Sequence, residues 1–155
     1  VDPWFLVSSA PEETRLIRTA RQVNDSRPAY YVGRILQALE GLVSPTVAVL
    51  GLTFKADVDD LRQSPALAIT EHVAAAAPHA RVLVAEPHAG ALPPSLARWD
   101  NVRLTGCRQA VDQADVVALL VSHQEFADLD PLQLEGRRVI DATGLWRCRA
   151  PRPAG

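Results

Sequence analysis

The sequence predicts an α/β domain: a Rossmann-like parallel sheet of about five strands, flanked by helices and preceded by a helical connector. Three observations carry this. Short apolar runs at 46–52, 81–86, 102–104, 116–121 and 138–142 alternate with helix-period stretches, the pattern of β–α–β units with right-handed crossovers. The run Val116–Val121 is apolar without alternation, as a strand covered on both faces must be. Finally, 155 residues with 48% hydrophobic and 22% charged side chains supply a sizeable core and exclude a disordered or fibrous chain.

The elements follow in order. Residues 1–10 read as extended and partly aromatic. Ser9-Ala10-Pro11-Glu12 has the form of a capping box, with Pro in the first turn, and predicts a helix to about Asn24 burying Leu16, Ile17, Ala20 and Val23. Pro28 predicts a break there, because the residue before proline resists the α conformation. A second helix carries Val32, Ile35, Leu36 and Leu39 at helical spacing, and Gly41 closes it. Past the first strand, Ser64-Pro65 opens a helix burying Ala66, Ile69, Val73 and Ala76. A turn-rich stretch from Pro87 to Pro94 leads to a short helix near Leu96, and a further helix lies around Arg108–Gln113. The boundaries fall at 1–42 for the end of a preceding domain with its connecting helices, 43–148 for the α/β domain, and 149–155 for a Pro- and Arg-rich tail.

Composition narrows the function. A net charge of −2 gives no footprint for nucleic acid, and no apolar run is long enough to span a membrane. Cys107 and Cys148 match no metal or redox spacing, so the default setting is reducing and cytoplasmic. The chain starts without Met or a signal sequence, which suggests part of a longer protein. Fifteen of the 16 basic residues are Arg and 24 residues are Ala; Lys55 is the only lysine. Exposed Lys is cheaply exchanged for Arg, since surface pairs contribute about 0–1 kcal/mol either way. A surviving Lys therefore marks either chance or a place that needs a compact ammonium.

Lys55 lies in the segment T-F-K-A-D-V-D-D-L-R-Q, Thr53 to Gln63, after the first strand. In open α/β sheets ligands bind outside the carboxyl ends of the strands. This connection is about twice the usual 2–6 residues. It contains no G-x-G-x-x-G, so the usual pyrophosphate cradle is absent. From the residues alone, two readings stand: a phosphate held by Lys55, or a surface loop whose charges pair with one another.

Gly51-Leu52-Thr53-Phe54-Lys55 with Asp60-Leu61-Arg62-Gln63-Ser64-Pro65 resembles the G-x-x-F-K-x-x-x-x-D-x-R-x-S-P signature of the UDP-glucose/GDP-mannose dehydrogenase family. Val1-Asp2-Pro3-Trp4-Phe5 is similar to the stretch after that family's catalytic cysteine, C-x-x-V-D-P and two aromatics, and residues 16–25 are similar to its connecting helix. The V-D-P form points to the N-acetylhexosamine branch, since the glucose and GDP-mannose enzymes usually carry Lys before this Asp.

The resemblance implies oxidation of the C6 alcohol of a UDP-N-acetylhexosamine to a carboxylate with two NAD, through a thiohemiacetal and a thioester on the cysteine. The spacing puts that cysteine upstream of Val1, so the chain is expected to be inert alone. Asp2 then matches the catalytic aspartate. Phe54 and Lys55 match substrate contacts, Arg137 a substrate-contacting arginine of some members, and Arg62 an arginine reaching the NAD phosphates, which are held mainly by an amino-terminal domain. Asp60 is expected to hold Arg62 in place. A homodimer through the connecting helices is implied, with Leu16, Ile17, Val32 and Leu36 exposed for it.

Glu86 lies 35 residues after Gly51, too far for a ribose-binding acid, and receives no cofactor role. His123 reads as structural rather than ligand-binding; His72, His79 and His88 have no metal partners in the pattern, and no metal site is expected. Trp4, Trp99 and Trp146 read as packing. The alternatives are a non-catalytic nucleotide-binding module and an oligomerisation domain.

Overall fold

A computed structural model describes residues 3–146. Five strands form one sheet: β1 (Thr46–Leu50), β2 (Arg81–Ala85), β3 (Val102–Leu104), β4 (Val116–Leu119) and β5 (Arg138–Asp141). Their spatial order is β3-β2-β1-β4-β5 and every pairing is parallel. This order reverses between β1 and β4, which creates a crevice at their carboxyl ends.

Strand pleating explains the two-sided core. Val47, Val49, Val82, Val84, Val116 and Ala118 point to one face, where Ile35, Leu39, Ile69 and Val73 cover them. Their neighbours Ala48, Leu50, Leu83, Ala85, Val117 and Leu119 point to the other, against Ala110, Val111 and Phe126. The first face is covered by α2 (Arg15–Leu39) and α3 (Pro65–Ala76), the second by α5 (Cys107–Gln113) and α6 (Gln124–Ala127). The short α4 (Pro94–Ala97) adds Leu96 to the first, and a 3-10 turn spans Pro131–Leu134. Among the described residues, no helix is long and apolar enough to cross a membrane.

Sequence and structure differ at the amino end. Residues Pro3–Ser9 form a helix, α1, where an extended segment is expected. The Ser9 hydroxyl donates back to Phe5 O at 2.9 Å, so no capping box forms and α2 begins at Arg15 without a side-chain cap. The break at Pro28 is also absent, for α2 runs unbroken through it. The pre-proline restriction is a bias of about the size of a few contacts, and anchoring beyond it decides: Ile35 and Leu39 are buried in the sheet's core, while Tyr31 donates to Ala142 O at 3.3 Å. Leu16 and Val23, expected in a core, are 86% and 58% exposed. Val32 and Leu36, expected on the surface, pack half-buried on the core. The tail at 149–155 lies outside the described residues, as do Asp2 and Cys148.

Candidate nucleotide site at the carboxyl edge of the sheet

The crevice is set by Gly51. It leaves β1 at φ +89°, a conformation that disfavours any side chain, and a Cβ there would stand 2.5 Å from Val121 Cβ. The chain ends of β1 and β4 thus touch, and the residues that follow diverge around them. Past Gly51 the backbone is held rather than loose. The buried Glu86 carboxylate, just after β2, accepts the N–H of Leu52 at 2.6 Å and of Thr53 at 3.2 Å through Oε2, and that of His88 at 3.1 Å through Oε1. Phe54 N–H donates to Asp60 O at 2.8 Å, which folds the loop back on itself.

This loop projects three of the sequence-predicted site residues. Phe54 is 61% exposed, over a cleft of about 250 Å³ between the loop and α2 that Arg27, Pro28, Tyr31 and Val121 help to line. Lys55 is exposed, and among the described residues its ammonium has no hydrogen-bond or ion-pair partner. Asp60 instead grips Arg62 through two bonds, Nε to Oδ1 at 3.0 Å and a second guanidinium nitrogen to Oδ2 at 2.8 Å. Those bonds lower the Asp60 carboxyl to about 2 and raise the Arg62 guanidinium. The loop charges therefore pair only in part: Lys55 on one side and the exposed Asp57 and Asp59 on the other stand outside the Asp60–Arg62 pair.

The structure sets Arg137 apart. It precedes β5 at the amino edge of the sheet, roughly 13 Å of strand from the crevice. Its guanidinium donates to Val111 O at 2.7 Å and Asp112 O at 3.0 Å, stabilising the end of α5. No substrate contact is assigned to it.

Two residues that sequence reasoning placed outside the site belong to its frame. His123 is fully buried and touches the loop with both ring nitrogens, as Glu86 does with its carboxylate. The available signal was positional: Glu86 directly follows β2 and His123 comes four residues after β4, the two strands on either side of β1. His88, for which no partners are expected, sits with His123 and Asp57 so that three donor atoms lie within 4.8 Å. The cluster does not offer three free ligands, because the lone pair of His123 Nδ1 already accepts Asp57 N–H at 3.0 Å.

The residues present do not fit a dinucleotide pyrophosphate. The amides after β1 are taken by Glu86, Ser64 caps α3 by accepting from Leu67 N, and Pro65 has no N–H to offer. An anion arriving here meets side-chain cations instead. Fold and site together define a Rossmann-like α/β domain that exposes Lys55 and Arg62, with no glycine-rich phosphate turn, at the carboxyl edge of its sheet.

The chain belongs to the UDP-glucose/GDP-mannose dehydrogenase family: the model of that family's UDP binding domain matches residues 48–147. It is 47% identical over 149 residues to an NDP-N-acetyl-D-galactosaminuronic acid dehydrogenase of Ralstonia solanacearum, covering 96% of this chain and 34% of the relative. It is 45% identical over 129 residues to a UDP-N-acetyl-D-mannosamine dehydrogenase of Campylobacter jejuni, covering 83% and 31%. Among solved structures, a UDP-N-acetyl-mannosamine dehydrogenase from S. aureus superposes with a TM-score of 0.69 at 34% identity, over 94% of this chain and 33% of the other. The chain spans about a third of the length of the curated relatives it matches.

Proposed function

We propose that this chain is the carboxyl-terminal, nucleotide-holding part of an NAD-dependent UDP-N-acetylhexosamine 6-dehydrogenase, with UDP-N-acetylmannosamine as the favoured substrate. The observation that carries it is the lone lysine: an unpaired ammonium beside an exposed phenylalanine, on a fixed loop at the switch point of the sheet. A compact cation suits a diphosphate, at about 1.5–3 kcal/mol for a charge-assisted bond, and the aromatic face suits a base or sugar. Arg62, its side chain 90% exposed and its plane fixed by Asp60, is placed to meet phosphates brought by another domain. Asp2 keeps its proposed catalytic role from the family resemblance alone.

In the parent reaction the C6 alcohol loses two hydrides and ends as a uronate; this chain's crevice residues bind and orient the nucleotide end, and Asp2 is the one residue of the chain with a proposed catalytic role. The setting is cytoplasmic, where nucleotide sugars are made. Two copies are proposed to pair along α2, where Leu16, Val23 and Tyr30 are exposed.

Titration calorimetry with UDP and UDP-sugars is the test. Millimolar or tighter UDP binding that is abolished by Lys55→Ala supports the reading. Absence of binding at millimolar UDP favours a structural or oligomerisation module instead.

A further inference from the structure

We propose that Glu86 and His123 are positioning residues, a buried pair that holds the segment 52–57 in the one shape that presents Phe54 and Lys55 at the crevice. The inference deepens the nucleotide-binding reading above and rests on it.

The hydrogen-bond directions follow from the donors. A backbone N–H can only donate, so the bond from Asp57 N–H at 3.0 Å makes His123 Nδ1 the unprotonated nitrogen. The proton is therefore on Nε2, which lies 3.2 Å from Glu86 Oε2 and 3.1 Å from Thr53 Oγ1. The Thr53 hydroxyl hydrogen is free to go to Lys55 O, at 2.9 Å. One carboxylate and one imidazole thus fix the amides of Leu52, Thr53 and Asp57 and, through Thr53, the carbonyl of Lys55 itself.

Among the described residues, the hydrogen bonds of the pair go to this loop, to His88 N–H and to each other. Both side chains are shut away from water, at 0% and 1% exposure. The His123 ring lies between His88, centroids 5.1 Å apart, and Phe126, at 5.4 Å. The buried carboxylate has four donors around it, and it stands to the amides after β1 as a bound phosphate stands to a glycine-rich turn. The shape being held includes Asp57 at φ +57°, in the left-handed region that aspartate enters more readily than most side chains and that the His123 bond fixes here. The Asp57 carboxylate adds a third tie, accepting Gln124 N–H at 3.1 Å.

The test uses this 155-residue chain, reading amide hydrogen exchange at Leu52, Thr53 and Asp57 by NMR and UDP affinity by calorimetry. Glu86→Gln is expected to speed exchange at Leu52 and Thr53 and to weaken UDP, each at least tenfold. His123→Gln keeps a donor near the Nε2 position and removes the Nδ1 acceptor, so it is expected to release Asp57, leave Leu52 and Thr53 protected, and weaken UDP. Val73→Ala, in the core and away from the loop, is the stability control and is expected to change UDP affinity by less than twofold. Wild-type exchange at these amides in the variants overturns the brace. Released amides with unchanged UDP affinity overturn its positioning role. If Glu86→Gln does not fold, His123→Gln decides by the same two readouts. A wild-type chain that ignores millimolar UDP overturns the nucleotide reading itself, and exchange then still decides whether the pair braces the loop.

Discussion

Individual residues at the crevice carry unequal burdens, and their protonation behaviour separates them. Asp60 is half-buried and held low by Arg62, so its folded-state value lies below the ordinary 3.8, at about 2. A lowered acid contributes stability above its unfolded value and loses it as pH falls through the folded one. The pair is therefore complete at neutral pH and opens only near pH 2. A carboxyl-detected NMR titration of Asp60 is expected to show a midpoint near 2 in the wild type and a return toward 3.8 in Arg62→Ala. Cys107 behaves oppositely: burial, with a smaller push from Glu125, raises its thiol to about 12. In a Cys148→Ser background, Ellman's reagent at pH 8 is expected to leave the folded chain unmodified and to label it after denaturation. Rapid labelling of the native chain would contradict the buried placement. Gly51 is constrained by sterics alone. Gly51→Ala combines a positive φ with a 2.5 Å overlap on Val121, and urea unfolding is expected to show a loss of about 2–4 kcal/mol.

At the scale of elements, the sheet was legible because apolar strands in a covered parallel sheet leave a strong imprint. The runs at 46–52, 81–86 and 116–121 each overshoot the observed strand by one or two residues, since Leu52, Glu86 and Val121 stay buried past the last ladder bond. The helix over Pro65–Ala76 was legible through Ser64, whose hydroxyl caps it as expected. The amino-terminal helices were not, because Ser9, Pro11 and Pro28 carry local signals that tertiary packing overrides. The loop Thr53–Gln63 was legible as an overlong connection at the carboxyl edge of the sheet, whereas its frame was not: Glu86 and His123 stand 33 and 70 residues from Thr53 and meet it only through strand order. The unbroken α2 leads to a prediction. Pro28 removes one intrahelical donor, and Ser26 Oγ bonds Val23 O at 2.7 Å within the same stretch. An interior proline costs about 3 kcal/mol, offset by about 0.4–1 kcal/mol from its stiffening of the unfolded chain. Pro28→Ala is thus expected to raise the unfolding free energy by about 2–2.6 kcal/mol in thermal or urea melts. A loss of stability would mean that the helix is shaped by its proline.

The whole molecule divides its apolar surface unevenly. The carboxyl end of α2 is sealed into the sheet's core by Ile35 and Leu39, whereas the stretch before it leaves Leu16 at 86%, Val23 at 58% and Tyr30 at 49% exposure. Alongside, α1 leaves Phe5 at 71% and Leu6 at 46%. Soluble monomers tolerate single exposed apolar side chains, but a run of them on adjoining helices marks a surface that meets another. A second copy fits the proposed pairing along α2, and the twofold relation would bring like residues together, so one substitution acts on both sides at once. Sedimentation of the wild type at tens of micromolar is expected to show a concentration-dependent monomer–dimer exchange, and Leu16→Asp, by burying a carboxylate against its mate, is expected to leave monomer with the melting temperature of the dilute, dissociated wild type. A clean monomer in the wild type would remove the pairing while leaving the crevice untouched, because Phe54, Lys55 and Arg62 are presented by a loop whose anchors, Glu86, His123 and Asp60, all come from the same chain.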